Sequence, residues 1–295
     1  MRNEVVLAFL PKAGLANKLL VWAEALVYAK ENDLDFFVIG WRDIKIGPYL
    51  RNERKKRNYA FFFKNLNRPN IFYLLIFLIF YKKTLPFYGN KIKHKNSRRR
   101  ILYFFNKVPN WDDYFYNLRN NEEFVRKSFY NMLSPKYQRI FNNDESPVIG
   151  VHIRCSDFVN NKELFGLSPN IRTPISYFID VIKKIRTGVN KNLKVTVFSD
   201  GRYSDISEIF SLKNVYFSES SSDLEDLIKL SKSKIIIASY SSTFSYWAGY
   251  LSKAPVILHP YHNIQIRKKK KGLFEGKLDL NKTLDNSLLN YLKKF

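Results

Sequence analysis

At 295 residues the chain can hold one large or two medium domains, and its 45% hydrophobic content supports a sizeable core, which excludes global disorder. A formal net charge of +24 points to an anionic partner: nucleic acid, an anionic membrane or a phosphorylated small molecule. One cysteine, Cys155, excludes internal disulfides and argues for a reducing, cytoplasmic setting.

The first ten residues carry an acid, Glu4, before a brief apolar run, so no secretory signal is expected. Residues 4–9 read as a strand. A loop with Lys12, Gly14, Asn17 and Lys18 follows. Leu19, Leu20, Trp22, Ala23, Leu26 and Val27 then recur at spacings of three and four, which predicts a helix. Residues 35–39 read as a second strand, so the chain opens on a β-loop-α-β unit of the doubly wound kind. The loop at Gly14 delivers N–H groups at a helix start and is either an anion site or a plain tight turn.

Residues 42–145 resist organisation. They are basic and aromatic, with helices expected at 71–81 and 113–133, and 42–110 reads as an insertion. The apolar run at 71–81 is too short to span a bilayer, which takes roughly 20 residues. It reads as a buried helix. The alternative is a helix in a membrane interface, because Lys82, Lys83 and the basic run 91–100 adjoin it. The Lys/Arg runs 51–57, 91–100 and 267–271 are either solvated faces or anion-binding patches. A polar break at 142–147, ending in Pro147, is taken as the boundary between domains 1–145 and 146–295.

In the second half, residues 148–153 read as a buried parallel strand that stops at His152, Arg154 and Asp157. A helix is expected at 175–185, with Thr173 as cap and Pro174 at its first position. A strand at 193–198 ends at Ser199-Asp200-Gly201. A helix at 203–212, a strand at 214–217, a helix at 224–232 and a strand at 234–238 follow. Residues 239–251 are serine-rich and begin a helix, and 256–259 read as a further strand. This alternation predicts a parallel sheet. Three polar clusters thereby fall at the carboxyl ends of neighbouring strands, where open α/β sheets bind ligands: His152/Arg154/Asp157, Ser199/Asp200, and Ser239 to Ser245. The planar fork of Arg154 suits a phosphate, or else closes the strand end in a structural pair with Asp157. The serines either face an anion at a helix start or are ordinary N-caps. His259 and His262 flank Pro260 in a loop where no metal site is expected, and no Cys set is present to hold one.

The run Gly14–Ala29 (GLANKLLVWAEALVYA) resembles the start of the α-1,2-fucosyltransferases of the bacterial and animal type. His152-x-Arg154-x-x-Asp157 is similar to the His-x-Arg-Arg-x-Asp motif shared with α-1,6- and protein O-fucosyltransferases. Phe198-Ser199-Asp200 resembles their second motif, and Ser241-Ser242-Thr243-Phe244-Ser245-Tyr246-Trp247-Ala248 their third. The order is that of the family, and the likeness spans roughly residues 5–40 and 147–260.

The resemblance implies an α/β, GT-B-like fold of two Rossmann-like doubly wound domains facing across a cleft, the first acceptor-side and the second holding the donor. It implies inverting transfer of fucose from GDP-fucose to a glycan hydroxyl in α-1,2 linkage, with no metal or other cofactor required. Arg154 matches the arginine that contacts the donor diphosphate. His152, Asp200 and the segment Ser241, Ser242, Thr243, Phe244 and Ser245 match other donor-side positions. Asp157 is a candidate general base or the orienting partner of Arg154. Lys12, Gly14, Asn17 and Lys18 form a second substrate-side loop. The expected setting is O-antigen or capsule synthesis, with a lipid-linked acceptor and peripheral contact with the inner, anionic membrane face. Two departures bear on the donor: Cys155 stands where a second arginine is usual, and Gly201 where a second acid is usual. Rival readings are another sugar nucleotide on the same fold, a metal-dependent transferase using Asp33-Leu34-Asp35, and a nucleic-acid-binding protein. The last has no recognised motif in its favour, and no nucleic-acid partner is expected.

Overall fold

Val5, Val6, Leu7 and Ala8 are buried in succession, on both faces of their strand. That is the pattern of a central parallel strand covered on both sides. The computed structural model describes residues 3–41, 59, 61–64, 66–86, 100–108, 110–161, 163 and 170–295. In it, β1 (Glu4–Phe9) lies between β2 (Asp35–Ile39) and β4 (Ile101–Phe105), and β3 (Lys82–Thr84) flanks β4. All three pairings are parallel. Helix α1 (Leu15–Glu31) follows β1 and is buried along most of its length; Lys30 in its last turn complements the helix dipole.

Two of this sheet's strands, β3 and β4, come from the stretch read as an insertion. That reading is corrected: Ile101–Phe105 is a run of β-branched and aromatic residues that completes the sheet beside β1, with Leu102 and Tyr103 buried. The 113–133 expectation resolves into a 3-10 turn at Tyr116–Asn121 followed by α3 (Glu122–Met132).

Helix α2 (Ile71–Phe80) forms where expected, capped by Asn70. The expectation that it is buried fails. Phe77 alone among its residues is buried, in a cluster with Val5, Leu7, Tyr81 and Leu102. Ile71, Phe72, Ile79 and Phe80 are 72%, 66%, 67% and 61% exposed. The helix is apolar all round, so seating one narrow stripe on the sheet leaves the other faces uncovered.

The chain passes to its second unit at Pro135/Lys136, ahead of the polar break. The reason is α4 (Pro135–Asn142), whose Tyr137 hydroxyl bonds Ser222 at 3.0 Å and whose Ile140 carbonyl accepts from Lys232 at 3.2 Å. Pro147 marks only the entry into β5 (Ile149–Ile153).

The second sheet has six parallel strands in the order β10-β9-β8-β5-β6-β7, with β6 (Val195–Ser199), β7 (Val215–Phe217), β8 (Ile235–Ile237), β9 (Val256–Leu258) and β10 (Glu275–Lys277). One face buries Ile149, Val151 and Ile153 against α5 (Ile175–Val189) and α8 (Asn286–Leu292), through Phe178, Ile182, Leu288 and Leu292. Alternate positions face the other way. Gly150 there sits against α6 (Asp223–Ser231), so closely that a Cβ would lie 2.8 Å from Leu230 and 2.2 Å from the Ser233 hydroxyl. Helices on both faces make this unit doubly wound, as expected.

Smaller differences have local causes. Thr173 does not cap α5: the cap position is Pro174, and the Thr173 hydroxyl accepts from Tyr240 N at 3.0 Å. Residues Tyr203–Ser211 form 3-10 turns broken at Ile206. Of the basic runs, 51–57 and 91–99 lie outside the described residues. In the run 267–271, Arg267 is 2% exposed and paired with Glu275 at 2.8 Å, while the four lysines after it are exposed.

His259 and His262 sit in the turn after β9. Burial, reinforced by Lys277, pushes both down to about 4, although the Ile264 carbonyl partly offsets this for His262. Unfolded histidine titrates near 6.5. The unfolded chain therefore binds protons that the folded one refuses, so stability should fall as pH drops from about 6.5 to about 4 and flatten below. Thermal unfolding followed between pH 7 and 4 checks this. The double substitution His259→Gln/His262→Gln should flatten the slope in that window.

Candidate active site

Strand order puts the site where it is. The chain runs from β5 outward through β6 to β7, then returns to the other side of β5 for β8, β9 and β10. The switch point lies between β5 and β8, and the carboxyl ends of strands at such a point are where open α/β sheets bind ligands. The three clusters expected at neighbouring strand ends are adjacent here: Arg154 follows β5, Asp200 follows β6 and Ser239 follows β8.

Arg154 is held from two sides. One terminal nitrogen meets the Asp157 carboxylate and the other meets Asp200 Oδ2 at 2.5 Å. Asp157 is 48% exposed and Asp200 18%. Asp200 also accepts from the backbone N–H groups of Cys155 (2.8 Å) and Ser156 (3.4 Å) and from the Ser156 hydroxyl (2.8 Å). Burial alone would raise its pKa, but Arg154, the Cys155 N–H, His152 and the Ser156 hydroxyl outweigh that and hold it below the usual carboxylate range. Asp200 is thereby a brace for the turn 154–156 and for the guanidinium. Asp157 is the looser and more exposed partner of the same guanidinium.

His152 is buried, its Nδ1 is 2.8 Å from the Ser245 hydroxyl, and its ring stacks on Phe244 at 4.7 Å. The Ser239 hydroxyl accepts from Arg154 N (3.0 Å) and donates to His152 O (2.7 Å), fastening β5 to β8. Ser242 caps α7 (Thr243–Leu251), and Ser241 before it holds a left-handed backbone (φ 55°) with its N–H on the Tyr246 hydroxyl at 2.7 Å. Ser242 and Ser245 are buried in this network, so they position His152 and the helix start; Ser241, Thr243 and Phe244 are the partly exposed members.

The two departures touch one another. Cys155 is buried among core side chains, and a Cβ on Gly201 would lie 2.7 Å from the Cys155 Cβ. A second acid at 201 has no room beside this cysteine. Burial pushes the Cys155 thiol up to about 11, so it is neutral and not a nucleophile.

The loop at Gly14 belongs to the first unit. Gly14 caps α1 in extended conformation (φ −62°, ψ 165°), and Lys12 is exposed. Lys18, expected to face an anion, is fully buried with its ammonium on the Gly40 carbonyl at 2.5 Å, which corrects that expectation. Asn17 is half-buried.

Sequence reading missed Arg172. Its Nε donates to the carbonyls of Cys155 and Phe158, both at 3.0 Å, which lays its guanidinium against the turn that carries Arg154. It lies in no motif, and only the fold brings it there.

The model of glycosyl transferase family 11 matches residues 88–271, more than half of the chain and all of the β5–β8 site. The chain belongs to glycosyl transferase family 11. No curated protein matches it in sequence. Among solved structures it is similar to the NodZ α-1,6-fucosyltransferase soaked with GDP-fucose, at 15% identity and a TM-score of 0.48 over 84% of this chain and 92% of that one. It is similar to fucosyltransferase NodZ from Bradyrhizobium at 14% identity and 0.49, over 85% and 94%. It is also similar to POFUT1 in complex with GDP-fucose at 12% and 0.49, over 88% and 99%.

Proposed function

We propose that this family 11 glycosyltransferase transfers fucose from GDP-fucose to a glycan hydroxyl, in α-1,2 linkage and with inversion, without a metal ion. The observation that carries the reading is Arg154, braced at the carboxyl end of β5 beside the start of α7. The acceptor oxygen attacks the anomeric carbon and gives up its proton to solvent, the bond from that carbon to the phosphate oxygen breaks, and GDP leaves with the electron pair. Charge builds on the leaving phosphate, and a guanidinium already held in place stabilises it without reorganising. The incoming diphosphate displaces Asp157, the more exposed partner, while Asp200 keeps the guanidinium aimed.

The test is thermal shift with GDP, UDP, dTDP and CMP sugars. GDP-fucose at about 100 times its Kd should stabilise the fold by about 2.7 kcal/mol. Stabilisation by a different sugar nucleotide alone would replace the donor but keep the reaction class. The contact between Cys155 and Gly201 favours keeping that second reading, because it removes both a cation and an acid from the donor side.

The same reading includes a lipid-linked acceptor of bacterial surface polysaccharide and work at an anionic membrane face. Among the described residues no helix is long and apolar enough to cross a membrane. Helix α2 instead presents Ile71, Phe72, Leu75, Ile79 and Phe80 outward, next to exposed Lys82, Lys83 and Arg100. Residues 54–111 contain fifteen Lys and Arg and no Asp or Glu. Apolar side chains for the acyl boundary beside cations for lipid phosphates fit an anionic bilayer. Sedimentation with phosphatidylglycerol vesicles at low salt should pull the protein down. Ile79→Asp/Phe80→Asp should weaken that at least about 10-fold, since burying each such side chain contributes about 1.5–3 kcal/mol. A wild-type chain that ignores vesicles but dimerises through α2 would make this an interface between copies instead.

A further inference from the structure

We propose that Arg172 is the second phosphate-binding arginine of this enzyme, entering the donor site from the segment before α5 in place of a cation at position 155. This rests on the sugar-nucleotide reading above. Position 155 cannot supply the charge, because its side chain points into the core against Gly201. Arg154 by itself leaves the site electrostatically short. Its single positive charge is shared by two carboxylates, Asp157 and Asp200, so the trio carries one net negative charge. A nucleoside diphosphate adds more, and a site of that sign repels it.

Arg172 restores the balance, and the fold holds it in place to do so. A bridge pairs Val159 with Ile171: Val159 N donates to Asn170 O at 2.8 Å, and Arg172 N to Val159 O at 3.0 Å. This fastens residue 172 beside the turn that follows β5. The Nε bonds to Cys155 O and Phe158 O then fix the guanidinium plane. Among the described residues its hydrogen-bond partners are neutral carbonyls, which leave its charge uncancelled. Among the described residues its two terminal nitrogens have no partner, and the side chain is partly exposed. A guanidinium anchored through Nε with both terminal nitrogens open is the fork that takes two phosphate oxygens.

The experiment compares affinity for GDP and for guanosine in wild type, Arg172→Ala, Arg172→Gln and Arg172→Lys, with circular dichroism as a check on folding. Gln retains a donor for the turn carbonyls but no charge, so it separates anchoring from electrostatics. GDP affinity should fall about 10- to 100-fold in Ala and Gln, less in Lys, while guanosine affinity stays within about twofold. The dependence of GDP affinity on salt should also become shallower. Unchanged GDP affinity in Arg172→Gln overturns the proposal, as does a parallel loss of GDP and guanosine, which marks a merely structural residue. If wild type binds neither GDP nor any other nucleoside diphosphate, the sugar-nucleotide reading itself fails and takes this proposal with it. If Arg154→Ala abolishes GDP binding and Arg172→Gln does not, only the role of Arg172 falls.

Discussion

Replacing Arg154 with alanine should lower turnover by about 10²–10³-fold, the usual cost of removing one preorganised donor from a developing negative charge. The fold should survive. Asp200 keeps the N–H groups of Cys155 and Ser156 and the Ser156 hydroxyl, and Asp157 is half exposed and can solvate. Asp200 loses the cation that most strongly holds its pKa down, so its pKa should rise and a small loss of thermal stability should appear at acidic pH. Arg154→Lys keeps the charge but not the planar fork and should recover only part of the activity. Steady-state transfer from GDP-fucose, with circular dichroism beside it, decides the matter. Near-wild-type turnover in Arg154→Ala would remove the assignment.

Glu275→Ala should destabilise the second unit by about 3–5 kcal/mol, because it strands a buried charge. Arg267 is 2% exposed; its Nε pairs with Glu275 at 2.8 Å, and one terminal nitrogen bonds the Ser252 and Ala254 carbonyls at 3.2 and 2.9 Å. The other terminal nitrogen is buried with no partner among the described residues. Glu275 also accepts the N–H groups of Ile266 and Arg267, so its loss orphans several donors at once. The double change Arg267→Met/Glu275→Leu should cost much less, since apolar replacement of a buried pair is often close to neutral. Urea midpoints of the two variants give the comparison. A loss below about 1 kcal/mol in Glu275→Ala would mean that water reaches the guanidinium after all.

What could be read from the chain alone follows from periodicity. Apolar runs alternating with helical spacing along 148–259 are local signals, so β5 to β9 and their helices were expected close to where they lie. The polar clusters at the ends of β5, β6 and β8 were expected together for the same reason, because parallel strands align their carboxyl ends. The stretch 42–145 was less readable. Ile101–Phe105 follows three arginines and has no period of its own, and it is a strand only because β1 offers it a parallel edge. The burial of α2 is not legible in its sequence, because a helix apolar on every side does not reveal which side packs, or whether the others do.

The site divides along the same line. Sequence by itself determined which chemical groups stand at the strand ends: Arg154, Asp157, Asp200, and the serine-rich start of α7. Their identities and spacing are local properties. Only the tertiary structure decided how they share charge. It showed that Asp200 braces Arg154, that Ser242 and Ser245 turn inward to His152, that Lys18 is spent on Gly40, and that Cys155 and Gly201 exclude larger side chains from each other. It also brought Arg172, from outside every motif, against the turn after β5. Pairing energies and steric limits depend on distances between residues far apart in the chain, and no spacing along the sequence encodes those distances.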